Sequence, residues 1–396
     1  MSTSERVTLI MDFNGLGLDP KWVAALADQD IHQPTDIQRQ AIPAVLQGRD
    51  TYISSETGTG KTLAYLLPLL ARLDASPRSL QVVILAPTHE LALQIQDQVR
   101  TLTTFAGGDV RSQVLIGGVS YRLQLEQLKA KPHLVAGTPE RVLELIRSRK
   151  LKMHEVTCVV VDEADRLLVD QIRETVDSVI RSAPSRRQLI FVSATQQAQT
   201  SGEARMLAPD LLMVDTGGDK VSATIEHLFV IAEHRKKPEM LRRLIHATQP
   251  ERALVFVHRN TSAEELADKL RFHDLRAVWI HGAANKTERK QAMEAFRRGD
   301  ARVLISSDLS ARGLDLPGVT HVFNLNPPTQ SQDYLHRVGR TGRAGAAGCS
   351  ILLIDPQEQR LVARYTRDLG IDLQAVRLER GALVSQAPAT GETAPS

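Results

Sequence analysis

Four residues in the run SSETGTGKT, Ser54 to Thr62, have the types that phosphate chemistry requires. A nucleotide site needs converging backbone N–H groups, a lysine that reaches the terminal phosphates and a hydroxyl that can hold Mg2+. Gly58 and Gly60 would let the backbone turn closely around phosphates where a helix begins; Lys61 would lie along the β- and γ-phosphates, and Thr62 would hold the metal. The strict fingerprint G-x-x-x-x-G-K-[ST] wants glycine at position 55, where this chain has Ser55. On its own the loop is open to two readings: a nucleotide site with one glycine replaced, or a glycine-rich turn with an exposed lysine. A second carboxylate at a strand end would separate them. The run CVVVDEAD supplies one, four apolar residues followed by Asp162 and Glu163. Asp162 suits the metal's coordination sphere, and Glu163 suits a base that orients an attacking water. Carboxylates after a buried strand can also cap a helix; the company of the phosphate loop favours the chemical reading.

The elements that must position these groups are short β-branched runs alternating with longer stretches of helical period. In the first half the strand-like runs are DTYIS, QVVILAP, VRSQVLIG, HLVAG, TCVVVDE and RQLIFVSAT, with helices expected over Lys61–Leu73 and Leu91–Thr101. A second series begins near Ile225 with RALVFVH, RAVWIHG, ARVLISSD, HVFNLN and CSILLI, and with helices over Ser262–His273 and Thr287–Arg298. Such alternation predicts βα units and parallel sheets with helices on both faces. The glycines and polar residues of DTGGDKVSAT suit a flexible connection. The expected organisation is therefore a first domain over 1–215, a linker over 216–224, a second domain over 225–378 and a tail without order over 379–396.

Bulk properties bound the function. A chain of 396 residues exceeds what one core usually supports, so two domains are the default. Charge sums to 49 − 46 = +3, which permits a nucleic-acid partner without establishing one. Cys158 and Cys349 lie in apolar runs with neither zinc-site spacing nor disulfide density, which reads as a reducing cytosol. The start carries no basic segment followed by a long apolar core, and TLAYLLPLLARL is too short to span a bilayer. A cytoplasmic protein with no membrane partner is the expectation.

With Asp162-Glu163-Ala164-Asp165 the chain resembles the DEAD-box RNA helicases, and the family's other motifs follow in order from about Phe13 to about Leu378. Family phosphate loops usually have alanine where Ser55 stands, so the missing glycine is ordinary there and the loop reads as a nucleotide site. The resemblance implies two tandem RecA-like α/β domains, each a parallel sheet flanked by helices, with ATP and Mg2+ in the cleft between them. It extends the nucleotide-binding set along the loop, Ser55, Thr57, Gly58, Thr59, Gly60, Lys61 and Thr62, and makes Thr62 and Asp162 the metal residues. From QPTDIQ it assigns Gln38 to the adenine edge, which an amide with both donor and acceptor can select, and it assigns Phe13 to stacking on the base. SAT, with Ser193 and Thr195, resembles the motif coupling hydrolysis to strand separation. HRVGRTGR is the most specific match: Arg340 and Arg343 would be arginine fingers at the γ-phosphate, with His336 and Arg337 linking that site to the domain interface; at the end of SSDLSARGLD, Asp315 would bond the ribose. Planar, permanently charged guanidinium groups suit a spreading phosphoryl charge.

The RNA motifs implied in the first domain are PTHELA with Pro87 and Thr88, the Gly117-Gly118 pair, and TPER with Thr138 and Arg141; in the second they are FVHRN with Arg259, and Ser307. Such groups would hold a single strand or short duplex with little sequence specificity. Two departures stand out. His89 replaces the arginine of P-T-R-E-L-A, and Glu140 replaces the glycine of T-P-G-R, both changes that would weaken or retune RNA binding. The activity implied is RNA-stimulated ATP hydrolysis coupled to local duplex unwinding or remodelling of RNA–protein particles. A DNA-directed ATPase, an ATP-gated RNA clamp and a metabolic phosphate-loop kinase are the rivals; the kinase leaves the second domain's arginines unexplained. Ribosomal and RNA-decay assemblies are compatible settings, a monomer is the default, and a bacterial source fits the compact two-domain form.

Overall fold

The computed structural model describes residues 12–55, 58–194, 198–216, 224–258, 260–280, 286–307, 316, 318–342 and 346–386. The chain divides into two compact units, the first made mainly of residues up to 218 and the second mainly of those from 219 on.

The first unit holds one seven-stranded sheet. Its strands are β1 (Thr51–Ser54), β2 (Val82–Leu85), β3 (Ser112–Leu115), β4 (Leu134–Gly137), β5 (Cys158–Asp162), β6 (Gln188–Ser193) and β7 (Leu212–Asp215), in the spatial order β3-β4-β2-β5-β6-β1-β7. Every pairing is parallel, with Ser54 beside Ser193 and Val161 beside both Leu85 and Phe191. A parallel sheet is covered on both faces, so its strands read as unbroken apolar runs, and β1, β2, β4, β5 and β6 are buried throughout. Alternate residues divide between two cores. Ile84, Ala136, Val160 and Ile190 enter one with the helices Asp36–Leu46, Lys61–Arg72 and His89–Phe105; Val83, Val135, Val159 and Phe191 enter the other with Pro139–Arg147 and Asp170–Arg181.

The second unit repeats the plan. Its strands are β8 (Ile225–Ile231), β9 (Ala253–Val257), β10 (Ala277–Ile280), β11 (Val303–Ser307), β12 (His321–Asn324), β13 (Gly348–Ile354), β14 (Gln374–Glu379) and β15 (Ala382–Ser385), ordered β10-β11-β9-β12-β13-β8-β14-β15. All pair parallel except β15, which returns antiparallel to β14. β15 corrects the reading of 379–396 as a tail without order: Val376, Leu378 and Leu383 pack on the core that holds Leu241 and Val255, and this apolar contact recruits the hairpin. Residues 387–396 lie outside the described residues. Among the described residues no helix is long and apolar enough to cross a membrane.

Candidate functional site

Apart from Phe13 and Gln38, which precede β1, the first-unit motifs open from the carboxyl ends of parallel strands, where open α/β sheets place their ligands. The strand order sorts them into two halves. β5, β6 and β1 are neighbours and release Asp162, Ser193 and the phosphate loop; β3, β4 and β2 are neighbours and release Gly117-Gly118, Thr138 and Pro87-Thr88.

Gly58 and Gly60 have φ of +85° and +88°. A side chain there would cost roughly 1–2 kcal/mol, so glycine is required where the loop turns into the helix Lys61–Arg72. That helix begins at Lys61 with Gly60 as its cap, which aims its first N–H groups at the loop. Lys61 Nζ donates to the Ser55 carbonyl. Ser55 is buried; its hydroxyl bonds Thr59 Oγ1 at 2.9 Å and accepts from Thr216 at 3.1 Å, and its N–H reaches the Ser193 carbonyl at 3.4 Å. Thr62 lies half-buried in the first turn of the helix.

Gln38 is 2% exposed, and its amide is spent on the loop. Nε2 donates to the Gly60 carbonyl at 3.1 Å, and Oε1 accepts from Thr35 N–H at 3.0 Å; Thr35 Oγ1 donates to the Thr59 carbonyl at 2.8 Å. The amide retains a second hydrogen and a second lone pair. Phe13, read as a stacking residue, is 1% exposed and packs in the core that contains Leu16, Leu18 and Trp22.

Asp162 ends β5, 6% exposed. Its Oδ2 accepts from the buried Tyr65 hydroxyl at 2.8 Å and its Oδ1 from Glu163 N–H at 2.9 Å. Burial pushes its carboxyl up to about 6, the Tyr65 hydrogen bond and the Lys61 charge pulling the other way and the Glu163 charge adding to the rise. Glu163 occupies the left-handed region at φ +50°, ψ +53°, a conformation a non-glycine adopts at a cost of order 1–2 kcal/mol. Its carboxylate lies 3.4 Å from Arg166 Nε. Burial likewise pushes Asp165 up to about 6, against a hydrogen bond from Ser193. Ser193 also bonds the Tyr52 hydroxyl. The Asp162–Asp165 corner and the end of β6 are thereby tied to each other and to the loop.

On the other half of the edge, Thr88 caps the helix His89–Phe105 by accepting from Leu91 N–H at 3.2 Å, which leaves its hydroxyl hydrogen for a phosphate; Pro87 is half-buried beside it. The exposed His89 ring lies against the glycine pair: a methyl group on Gly117 would stand 3.3 Å from its Nε2. Gly118 has φ +70°. Thr138 N–H bonds the Leu115 carbonyl at 3.0 Å, tying the loops after β3 and β4 together. Arg141 pairs with Glu144 at 3.0 Å, stands over the Tyr121 ring at 5.7 Å, and keeps a buried Nη1 without a hydrogen-bond partner among the described residues. Glu140 is exposed in the first turn of the helix Pro139–Arg147, where its charge competes with a phosphate for the helix N-terminus.

In the second unit Ser307 closes β11 beside Val257 of β9, so the Ser307 and Phe256–His258 loops leave adjacent strand ends. Arg337 is 2% exposed and bonds Asn324 Oδ1 at 2.9 Å and the Asn326 carbonyl at 2.7 Å, its guanidinium 4.9 Å from the Phe256 ring centre. Read from sequence as a link toward the domain interface, it braces the ends of β9 and β12 from within. His336 is buried beside it in the helix Ser331–Val338, and Arg340 is half-buried in the following turn, its N–H on the Arg337 carbonyl at 3.1 Å. Thr57, Thr195, Arg259, Asp315 and Arg343 lie outside the described residues.

The sequence reading missed Tyr65, Thr35, Thr216 and Tyr52. Tyr65 had a signal, since it is four residues after Lys61 and so on the same helix face; the others act through contacts between distant segments. No group of three or more His, Cys, Asp or Glu among the described residues is placed to hold a metal. The Thr62 hydroxyl and Asp162 carboxylate are hard oxygen donors of the kind Mg2+ takes while keeping most of its waters, so the donor set fits that ion.

Two tandem units whose strand ends carry a phosphate loop, an acidic strand-end pair and a set of hydroxyl and glycine loops define a nucleotide-driven machine of the helicase kind. The DEAD/DEAH box helicase model matches residues 35–203, and the helicase conserved C-terminal domain model matches residues 236–345. The chain is 40% identical over 354 residues to the DEAD-box ATP-dependent RNA helicase CshC of Bacillus cereus, covering 89% of this chain and 90% of that one. It is 37% identical over 342 residues to the probable ATP-dependent RNA helicase YfmL of Bacillus subtilis, covering 86% and 90%. S. cerevisiae Dbp5 bound to RNA and ADP BeF3 superposes with a TM-score of 0.82 at 28% identity, over 92% of this chain and 95% of that one. The chain belongs to the DEAD-box helicase family.

Proposed function

We propose that this chain is an ATP-dependent RNA helicase that couples RNA-stimulated ATP hydrolysis to local separation of short duplexes. The observation that carries the reading is the convergence of the phosphate loop, Asp162-Glu163 and Ser193 on three neighbouring strand ends, with the RNA-type loops on the three strands beside them. In this reading Lys61 and the N–H groups from Gly58 to Thr62 hold the phosphates, and Gln38, already fastened to the loop, uses its remaining hydrogen and lone pair on adenine. Glu163 orients the attacking water. When bound, Mg2+, held by Thr62 and Asp162, would neutralise charge on the phosphate oxygens. Arg340 and Arg343 act on the terminal phosphate once ATP and RNA are both present. Asp315 bonds the ribose, and Thr88, Thr138, Arg141, Arg259 and Ser307 hold the strand. The bond from Ser193 to Asp165 gives a direct path from the acidic corner to SAT, which supports the coupling role of Ser193 and Thr195. A monomer in the cytoplasm, working in ribosomal or RNA-decay assemblies, belongs to the same reading.

The test is strand release from a short RNA duplex in the presence of ATP, alongside ATP turnover with RNA and with DNA of the same sequence. Duplex release and selective stimulation by RNA are expected. RNA-dependent turnover without release would replace this reading with an RNA clamp, and equal stimulation by DNA would remove the RNA assignment.

A further inference from the structure

None of the helicase motifs uses the opposite edge of the first sheet. The segments before β2, β4 and β5 meet at the amino ends of three adjacent strands and enclose a hollow of about 450 Å3. Its floor is apolar, built from Leu80, Leu151 and Pro132, all buried. Its walls carry Arg78, Lys129, Lys131, Lys150 and Lys152 against one carboxylate, Glu155. Five cations less one anion give a local charge of 5 − 1 = +4 with His154 neutral, more than the +3 of the whole chain. Lys129 is engaged with Glu126 at 2.8 Å. Arg78, Lys131, Lys150 and Lys152 are exposed and form no ion pair among the described residues.

We propose that this hollow is a second RNA-binding site, holding the phosphates and one nucleotide of a strand that extends beyond the motif edge; the inference rests on the helicase reading above. Clustered unpaired cations on flexible stems hold phosphates without regard to sequence. A hollow within the usual range of about 300–1,000 Å3 admits a nucleotide body, for which the leucine floor is a surface, whereas a lone phosphate would leave it mostly empty. An acidic peptide fits less well. β2, β4 and β5 are each paired on both sides, so an extended peptide finds no free strand edge to join. The two edges are separated by the depth of the sheet, four to five residues or about 15 Å at 3.3 Å per residue. A short RNA is therefore satisfied by the motif edge alone, and a longer one reaches both.

The experiment compares wild type with Lys131→Gln/Lys150→Gln/Lys152→Gln, three exposed side chains outside both cores. Binding of single-stranded RNAs of about 8 and about 30 nucleotides is measured over a range of salt, the lengths bracketing a single-site footprint. For the long RNA, affinity should fall about tenfold and the slope of log K against log salt should flatten by about 2, three contacts at roughly 0.7 each. Affinity for the short RNA and its stimulation of ATP hydrolysis should not change, and their persistence shows that the fold and the helicase reading hold independently. Unchanged binding of the long RNA would overturn the proposal. So would equal losses for both lengths, or binding of a polyglutamate peptide at this site with RNA affinity unaltered, which would assign the face to an acidic protein.

Discussion

His89 puts a titratable ring where the family's motif has a permanent cation, and the structure seats it against Gly117 on the RNA half of the edge. An imidazole lacks the planar, five-donor fork of a guanidinium, so it contributes less to holding a phosphate. His89→Arg should tighten single-stranded RNA binding several-fold and steepen its salt dependence by about 0.7, one added phosphate contact; fluorescence anisotropy over a salt series measures both. An unchanged slope would place the RNA elsewhere. Much of the site's chemistry was legible at this scale, because Lys61, Asp162, Glu163 and Ser193 are named by short motifs. Their supports were not. Tyr65 shares a helix face with Lys61, but its partner Asp162 lies 97 positions away, and no local pattern names that partner.

Two segments 22 residues apart, the turn before the helix Asp36–Leu46 and the phosphate loop, act as one unit because Gln38 and Thr35 bond the carbonyls of Gly60 and Thr59. Each hydrogen bond contributes of order 1 kcal/mol net, and more where its loss strands a buried group. Gln38→Ala removes the bonds to both Gly60 and Thr35, so ATP affinity should fall about tenfold or more, read by titration of a fluorescent nucleotide, with RNA binding in the absence of nucleotide unchanged. Intact ATP affinity would show that the loop holds its shape without the amide. Elements were readable where a strand is buried on both faces: CVVV and LIFV are unbroken apolar runs inside β5 and β6. β7 and the β14–β15 hairpin escaped notice. Their residues are partly exposed and mixed in character, and their order comes from neighbours, β1 for β7 and the core around Leu241 for the hairpin.

At the scale of the whole molecule, buried titratable groups respond to acid in both directions. In the second unit His227 is buried on β8, with Nδ1 2.8 Å from the Tyr334 hydroxyl, and burial pushes its pKa from 6.5 down to about 4. Between those values the unfolded chain holds a proton the folded one refuses. Stability is therefore full above pH 6.5 and lost as pH falls toward 4, by on the order of 3 kcal/mol at the limit. In the first unit Asp162 and Asp165 are raised instead, so they take up protons on folding and oppose that trend. The comparison is consequently made by substitution: His227→Phe should flatten the acid dependence of the second unit's thermal unfolding between pH 6.5 and 4, and an unaltered slope would remove His227 as its cause. The two-unit plan itself was evident from the repeated series of strands on either side of 216–224, since each series has enough apolar runs for a core of its own.

In the proposed function, the acidic corner after β5 hydrolyses ATP in response to RNA. Steady-state ATP hydrolysis by wild type and Glu163→Gln, each without nucleic acid, with single-stranded RNA and with DNA, tests it most directly. RNA should stimulate the wild type, and the variant should lose 100-fold or more, the scale of a missing general base, with ATP affinity kept. Hydrolysis that ignores RNA, or that survives the substitution, would contradict the proposed function.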